Sequence, residues 1–343
     1  MKKLKFFGKL VFIVNSLAAV LLLLSYLLPY VPPKNFATLS ILSLGVPLLI
    51  LINMLFFVYW LIQLKKQMFL SLIVLSLGWS YIGSMYKISS SKKTDDPNNL
   101  SVMSFNVRLF NKYNWKPNKT TREDIVDFFY EELPDVICMQ EYTRGTPLKI
   151  ENYSNYNGSY TKDARPGHAI FSKIPIVNSG SLEFKDTYNN AIFVDVVKGK
   201  DTIRVYNVHL QSSKINTKID YINSQYSRDV FLKRVKAAFI MQQSQVELFL
   251  EHKSKCKYRT IVAGDFNNTA YSYVYNIIKG EDLVDAFEEA GHGFGKTYDF
   301  KYFPLRIDFI LADKDFTVNG FKTYSDIKLS DHYPIKATLK LDK

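Results

Sequence analysis

The sequence predicts an α+β domain over residues 100–343, carried behind three membrane-spanning helices in residues 1–88. Three observations predict it. The first 90 residues contain no Asp or Glu and are filled by apolar stretches. Beyond them, short runs rich in β-branched and aromatic residues recur between turn signals, as strands do. Only two long helical patterns interrupt those runs, unlike the regular alternation of a parallel α/β sheet.

The apolar stretches fall at about 10–28, 39–64 and 68–86. Each is long enough to cross a hydrocarbon core of about 30 Å at about 1.5 Å per helical residue. The first follows a Lys-rich start, as a signal peptide would, but Leu27 to Pro33 offers no small-x-small cleavage site. A soluble bundle would carry carboxylates on its polar faces, and here there are none. Lys2, Lys3, Lys5 and Lys9 precede the first span, and Lys65 and Lys66 separate the second from the third. Only Lys34 lies in the loop between the first two. The positive-inside rule then puts the N-terminus in the cytoplasm and, after three crossings, the C-terminal domain outside it. The expectation is a multi-pass membrane protein with an extracytoplasmic domain and the lipid bilayer as partner; no protein partner is inferred.

Charge follows the same division. The chain carries a net +12, and the eight lysines of residues 1–90 supply most of it. The basic balance therefore describes the anchor more than a nucleic-acid surface. Cys138 and Cys256, the only cysteines, suggest neither a disulfide framework nor a zinc site. Residues 89–99, with serines, lysines, aspartates and a proline, read as a solvated linker.

In the domain, strands are expected at about 100–110, 135–140, 168–171, 191–197, 202–210, 260–265, 306–311 and 335–341. Helices are expected at about 121–133 and 228–252. Thr120, three residues before Glu123, predicts a capping box on the first. The Tyr-rich stretch 152–160 reads as an aromatic loop, although tyrosines there could also stack on bases or meet a lipid interface.

Several strands end in polar groups that folding does not require. Asn106 interrupts "MSFNVR" and Glu141 closes "DVICMQE"; such oxygen donors suit Mg²⁺ or Mn²⁺. His209 ends "RVYNVHL", Asp265 and Asn267 follow a strand in "IVAGDFNN", Asp308 lies inside "LRIDFIL", and Asp331 and His332 are adjacent in "LSDHYP". Each alone is an ordinary strand-end or buried polar residue. Their convergence is what points to chemistry.

In this order, the six motifs resemble the endonuclease/exonuclease/phosphatase superfamily, whose members include deoxyribonuclease I-like and exonuclease III-like nucleases, inositol polyphosphate phosphatases and bacterial sphingomyelinases. The resemblance spans residues 100–343. It implies a four-layer α/β/β/α sandwich with its site at one edge of the sheets, and a divalent-metal-dependent phosphoesterase acting on phosphodiester or phosphomonoester bonds. It further implies a metal, Mg²⁺ or alternatively Mn²⁺, on Glu141, with Asn106 and Asp331 completing that side. Asp265 would deprotonate the attacking water and Asn267 fix its geometry. His332 would donate to a phosphate oxygen, Asp308 would hold its ring, and His209 would supply a second donor. His168, in "GHAIFSKIPI", stands where many relatives carry an apolar or small residue, and is a candidate substrate contact. Tyr206 is another, although alternation puts it on the opposite face from Asn207 and His209.

The substrate stays open at this level. Inositol phosphatase relatives carry a Cys-Asp-Arg element where this chain has "PLRIDFIL", and the polar loop 211–227 holds few basic residues. Nucleic acid and phospholipid headgroup are both candidate substrates, and a catalytically inactive membrane-anchored binding module is the reading from another class.

Overall fold

The computed structural model describes residues 4–89, 96–142, 148–158, 167–213, 225–300 and 304–341. Most of the expected linker, much of the loop 211–227 and the end of the Tyr-rich stretch lie outside the described residues.

The N-terminal unit is helical: α1 (Phe6–Ser25), α2 (Pro33–Ile41), α3 (Val46–Ile62), α4 (Met68–Leu77) and α5 (Trp79–Gly83). With their adjoining 3-10 turns these form two helices long and apolar enough to cross a membrane, Phe6–Tyr30 and Pro33–Ile62. The third expected span is corrected: it breaks at Gly78, leaving pieces of ten and five residues. The break has a steric cause. A Cβ at position 78 would lie 2.0 Å from the Tyr26 hydroxyl oxygen, so only glycine admits that ring. Tyr26 then donates to the Val74 carbonyl at 3.0 Å, and Tyr81 donates to the Tyr26 carbonyl at 2.9 Å.

After β1 (Tyr86–Lys87), chain order gives β2 (Asn99–Asn106), α6 (Thr121–Glu132), β3 (Val136–Tyr142), β4 (Ser154–Gly158), β5 (Gly167–Ser172) and β6 (Ile176–Ser181). Then come β7 (Asn190–Lys198), β8 (Asp201–His209), α7 (Gln225–Ser254), β9 (Arg259–Asp265), α8 (Tyr273–Lys279) and β10 (Leu283–Asp285). The chain closes with α9 (Ala286–Ala290), β11 (Gly293–Phe294), β12 (Asp308–Asp313), β13 (Phe316–Thr323) and β14 (Ile335–Leu341).

Two six-stranded sheets result, ordered β13-β14-β2-β3-β5-β4 and β10-β12-β9-β8-β7-β6. Their facing sides bury Val102, Val136, Ile170, Val194, Val205, Ile261 and Ile310, the inward positions of alternating strands. On the outer side of the first sheet, α6 packs Ile125, Phe128 and Phe129 against Met103, Ile137 and Phe171. On the outer side of the second, α7 and α8 pack Val246, Phe249 and Val274 against Tyr206, Val262 and Phe309. These are the four layers expected.

Some local expectations fail. The Thr120 hydroxyl does not cap α6; it donates to Asn118 Oδ1 in the preceding turn and to Asp124 Oδ2 inside the helix. Part of the presumed aromatic loop is the edge strand β4. The first strand stops at Asn106, where residues 108–111 turn through left-handed φ of 43° to 59°.

The helical unit packs on the sandwich. Tyr271 joins the helical core beside Leu22, Val46 and Leu75, stacks on Tyr81 and donates to its carbonyl at 3.0 Å. Arg306 donates to the Ser84 carbonyl at 3.1 Å while paired with Asp285 at 2.6 Å. Asn276 reaches the Pro29 carbonyl at 3.2 Å, Lys34 pairs with Glu247, and β1 pairs with β11.

Candidate active site

Strand register assembles the cleft. β2 and β3 run parallel and so do β8 and β9, which brings four C-terminal strand ends to one edge of the sandwich. Asp265 lies opposite His209 on one side and Asp308 on the other. Gly264, at φ 149°, permits this approach: a Cβ there would come within 1.9 Å of the Val208 carbonyl oxygen. A β-bulge between β3 and β5 re-aims Glu141, which takes a left-handed φ of 50°. Asn267 does the same at φ 50°. Non-glycine residues held in that region are strained, and such strain concentrates at functional sites.

On one side of the cleft the carboxylates of Asp308 and Asp265 bracket His332. Nδ1 of His332 lies 3.0 Å from Asp308 Oδ2, and its Nε2 lies 3.7 Å from Asp265 Oδ2. Burial alone would depress the His332 pKa, but the Asp308 and Asp265 charges outweigh it and raise it to about 10. The two carboxylates thus favour the imidazolium form of His332. Burial, then the Asp308 charge, pushes Asp265 up to about 7, against the opposing pull of His332. Asp265 is held by the Asn267 backbone N–H at 2.8 Å, the Asn267 amide at 3.2 Å and the Asn106 amide at 3.0 Å. Asn267 is itself tied to the Leu210 carbonyl at 3.0 Å.

On the other side, Asn106 also donates to Glu141 Oε1 at 3.3 Å. Burial raises the Glu141 pKa, and the neighbouring Asp331 charge adds to the rise. Asp331 pairs with Arg108 at 3.0 Å, and Arg108 stacks 4.4 Å above Trp115.

A divalent cation fits this second side. Glu141 is a half-buried carboxylate beside the Asn106 amide and the Asp331 carboxylate, and such hard oxygen donors suit Mg²⁺ or Mn²⁺. Asp265, Asp308 and His332 also bring ligand atoms within 4.8 Å of one another.

Nine of the ten sequence candidates gather here: Asn106, Glu141, His168, His209, Asp265, Asn267, Asp308, Asp331 and His332. Tyr206 does not. It is fully buried under α7, its hydroxyl 3.0 Å from His252 Nδ1, because alternation turns it to the outer face. Sequence reasoning missed Arg108, Tyr298 and Thr297. Tyr298 packs edge-on to His332 at 5.0 Å, and the Thr297 hydroxyl accepts the Asp308 backbone N–H at 3.1 Å. All three come from irregular segments, where periodicity carries no signal.

A two-sheet sandwich with a buried Asp–His–Asp cluster at its edge defines a class of hydrolases acting on phosphoric esters. Within it, this chain belongs to the Endonuclease/Exonuclease/phosphatase family, whose profile matches residues 103–332. Residues 8–85 match a separate domain of unknown function. Comparison with curated proteins gives no match. Among solved structures, the chain is similar to TDP2 of D. rerio complexed with single strand DNA product, at 18% identity over 71% of this chain and 100% of that one, with a TM-score of 0.55. It is similar to an endonuclease/exonuclease/phosphatase from Bacteroides vulgatus at 20% identity, 71% and 99% coverage and a TM-score of 0.55. The human Nocturnin catalytic domain with bound sulfate anion matches at 18% identity, 72% and 96% coverage and a TM-score of 0.53. At these identities the likeness speaks for the fold.

Proposed function

We propose that the chain is a membrane-anchored, divalent-metal-dependent phosphodiesterase with an anchor in residues 1–88, a linker over 89–99 and a catalytic domain over 100–343. The observation that carries it is the Asp308–His332–Asp265 chain facing Glu141 across the Asn106 amide. An imidazolium beside a carboxylate of raised pKa is what hydrolysis of a phosphoric ester needs: a donor for the oxygen that gains charge and an acceptor for the water proton.

In this reading Asp265 takes the proton from the attacking water. Asn267 holds that carboxylate in place through its backbone and side-chain donors. His332 gives a hydrogen bond from Nε2 to a non-bridging phosphate oxygen while Asp308 fixes its ring through Nδ1. Asn106, Glu141 and Asp331 would hold Mg²⁺ or Mn²⁺, which supplies charge stabilisation for the departing oxyanion.

Orientation is part of the proposal: an extracytoplasmic catalytic domain. With the two helices Phe6–Tyr30 and Pro33–Ile62 alone the chain would return to the side of its N-terminus, so this orientation requires α4 and α5 together to complete a third crossing. Nucleic acid remains a candidate substrate, since TDP2 of D. rerio is recorded with a single strand DNA product. Phospholipid headgroups are the second, favoured by the apolar helices packed beside the catalytic domain. The test uses the full chain in detergent micelles with Mg²⁺ or Mn²⁺ against DNA, RNA, phospholipid vesicles and bis-nitrophenyl phosphate. Turnover that chelation abolishes and metal restores is expected; binding of any of these without turnover would favour an inactive module instead.

A further inference from the structure

The turn behind the proposed base is clamped by a residue of α7. Gln242, fully buried, donates from Nε2 to the Asn267 carbonyl at 3.2 Å and to the Gln211 carbonyl at 2.8 Å. Its Oε1 accepts from the Asn268 side-chain amide at 2.8 Å. The direction of that amide is fixed in turn, because the Thr269 backbone N–H donates to Asn268 Oδ1 at 2.9 Å and leaves Nδ2 to face Gln242.

This clamp bears on the geometry of Asp265. Asn267 holds a left-handed φ of 50°, a conformation that a non-glycine residue keeps only where its surroundings hold it there. In that conformation its backbone N–H meets Asp265 Oδ1 at 2.8 Å and its side-chain amide meets Oδ2 at 3.2 Å. Both Nε2 hydrogens of Gln242 are engaged by carbonyls, one in the turn after β9 and one in the loop after β8. Gln245, three residues further along α7, accepts the Gln211 backbone N–H at 2.8 Å and holds that loop from the same helix. A buried amide with its donors and its acceptor all occupied has one orientation, so the clamp is stiff.

The next residue on α7 supplies a contrast. Gln243, also buried, faces the helical unit: its Oε1 accepts the Lys34 backbone N–H at 2.8 Å, and its amide donates to Glu247 at 3.0 Å. The two glutamines are alike in type and burial, but of the two only Gln242 bonds the turn that holds Asp265.

We propose that Gln242 is a positioning residue for the hydrolysis: by holding the Asn267 turn in its left-handed form, it aims the Asp265 carboxylate at the attacking water. This rests on the phosphoesterase reading above. Gln242→Met keeps the length of the side chain and removes all three bonds. In the full chain in micelles with Mg²⁺, it is expected to lower kcat on bis-nitrophenyl phosphate about 10- to 100-fold, the scale of a slight misplacement of a reacting group, with KM nearly unchanged. In an Asp265→Asn background the same substitution is expected to cost less than about twofold, because the carboxylate it aims is already gone. Gln243→Met is the control, and leaves kcat unchanged whatever it does to the thermal melt. If Gln242→Met does not fold, Asn268→Ala, which frees the Gln242 amide, carries the same comparison. Unchanged kcat in the folded variant, an equal loss in the Asp265→Asn background, or an equal loss in Gln243→Met overturns the positioning role and leaves the phosphoesterase reading standing. No turnover by the unsubstituted chain overturns both.

Discussion

The helical unit and the catalytic cleft both bury polar side chains, and they treat them in opposite ways. In the helices, Asn15 donates to Ser71 Oγ at 2.7 Å and accepts from Trp60 Nε1 at 2.9 Å, while Asn53 donates to the Ala18 carbonyl at 3.1 Å. That network is closed, as polar groups between apolar helices must be. In the cleft, carboxylates crowd one another, Glu141 and Asn267 sit at left-handed φ, and two histidine nitrogens stay unpaired. Among the described residues, every buried side-chain polar atom without a hydrogen bond lies in the sandwich. The closed network locks the helices together, whereas strain and unpaired nitrogens gather at the cleft.

The largest expected effect separates chemistry from stability. Asp265→Asn should lower kcat on bis-nitrophenyl phosphate by about 10²–10⁴, the range of a catalytic base, with its circular dichroism melt barely moved. A carboxylate whose pKa is raised by burial is not one the fold depends on keeping charged. Near-normal turnover in the folded variant would remove Asp265 from the role of base.

Next comes the joint between the units. Arg306→Met leaves Asp285 without its buried partner and the Ser84 carbonyl without its donor, at a cost of about 3–5 kcal/mol. Denaturant titration of the full chain should show it. A loss well under about 1 kcal/mol would mean the joint is loose.

In the helices, Asn15→Leu leaves the Trp60 indole N–H without its acceptor and should cost about 1–3 kcal/mol, while kcat in micelles stays as it was. A change in turnover without a change in stability would erase the contrast between the two regions.

The smallest effect is a shift of pH profile. With Asp265 required ionised and His332 protonated, kcat/KM should rise with pH as Asp265 loses its proton and fall again as pH passes through the raised pKa of His332. In Asp308→Asn, His332 loses the chief charge that raises its pKa, so the alkaline limb moves to lower pH. An alkaline limb that stays in place would assign it to another group.

The sequence made much of this legible, and for identifiable reasons. Strand-end residues such as Asp265 and His209 stand out because they interrupt apolar runs, and the opposed faces of Tyr206 and Asn207 follow from a period of two. The helix at 121–132 shows by its apolar spacing. Short elements such as β10 and α9 lack the length for a periodic signal. The left-handed turn at 108–111, which carries Arg108 to Asp331, depends on contacts distant in sequence.

By itself, then, the sequence determined that acid-free apolar helices precede an α+β domain, and which polar residues are candidates for its site. Residue type and local order are enough for that. Only the tertiary structure decided that the third apolar stretch breaks where Tyr26 meets Gly78, that Tyr271 and Arg306 join the two units, and that His168 and His209 stand unpaired beside Asp265. Each of these depends on which distant atoms come together once the sheets pair, and no local pattern encodes that.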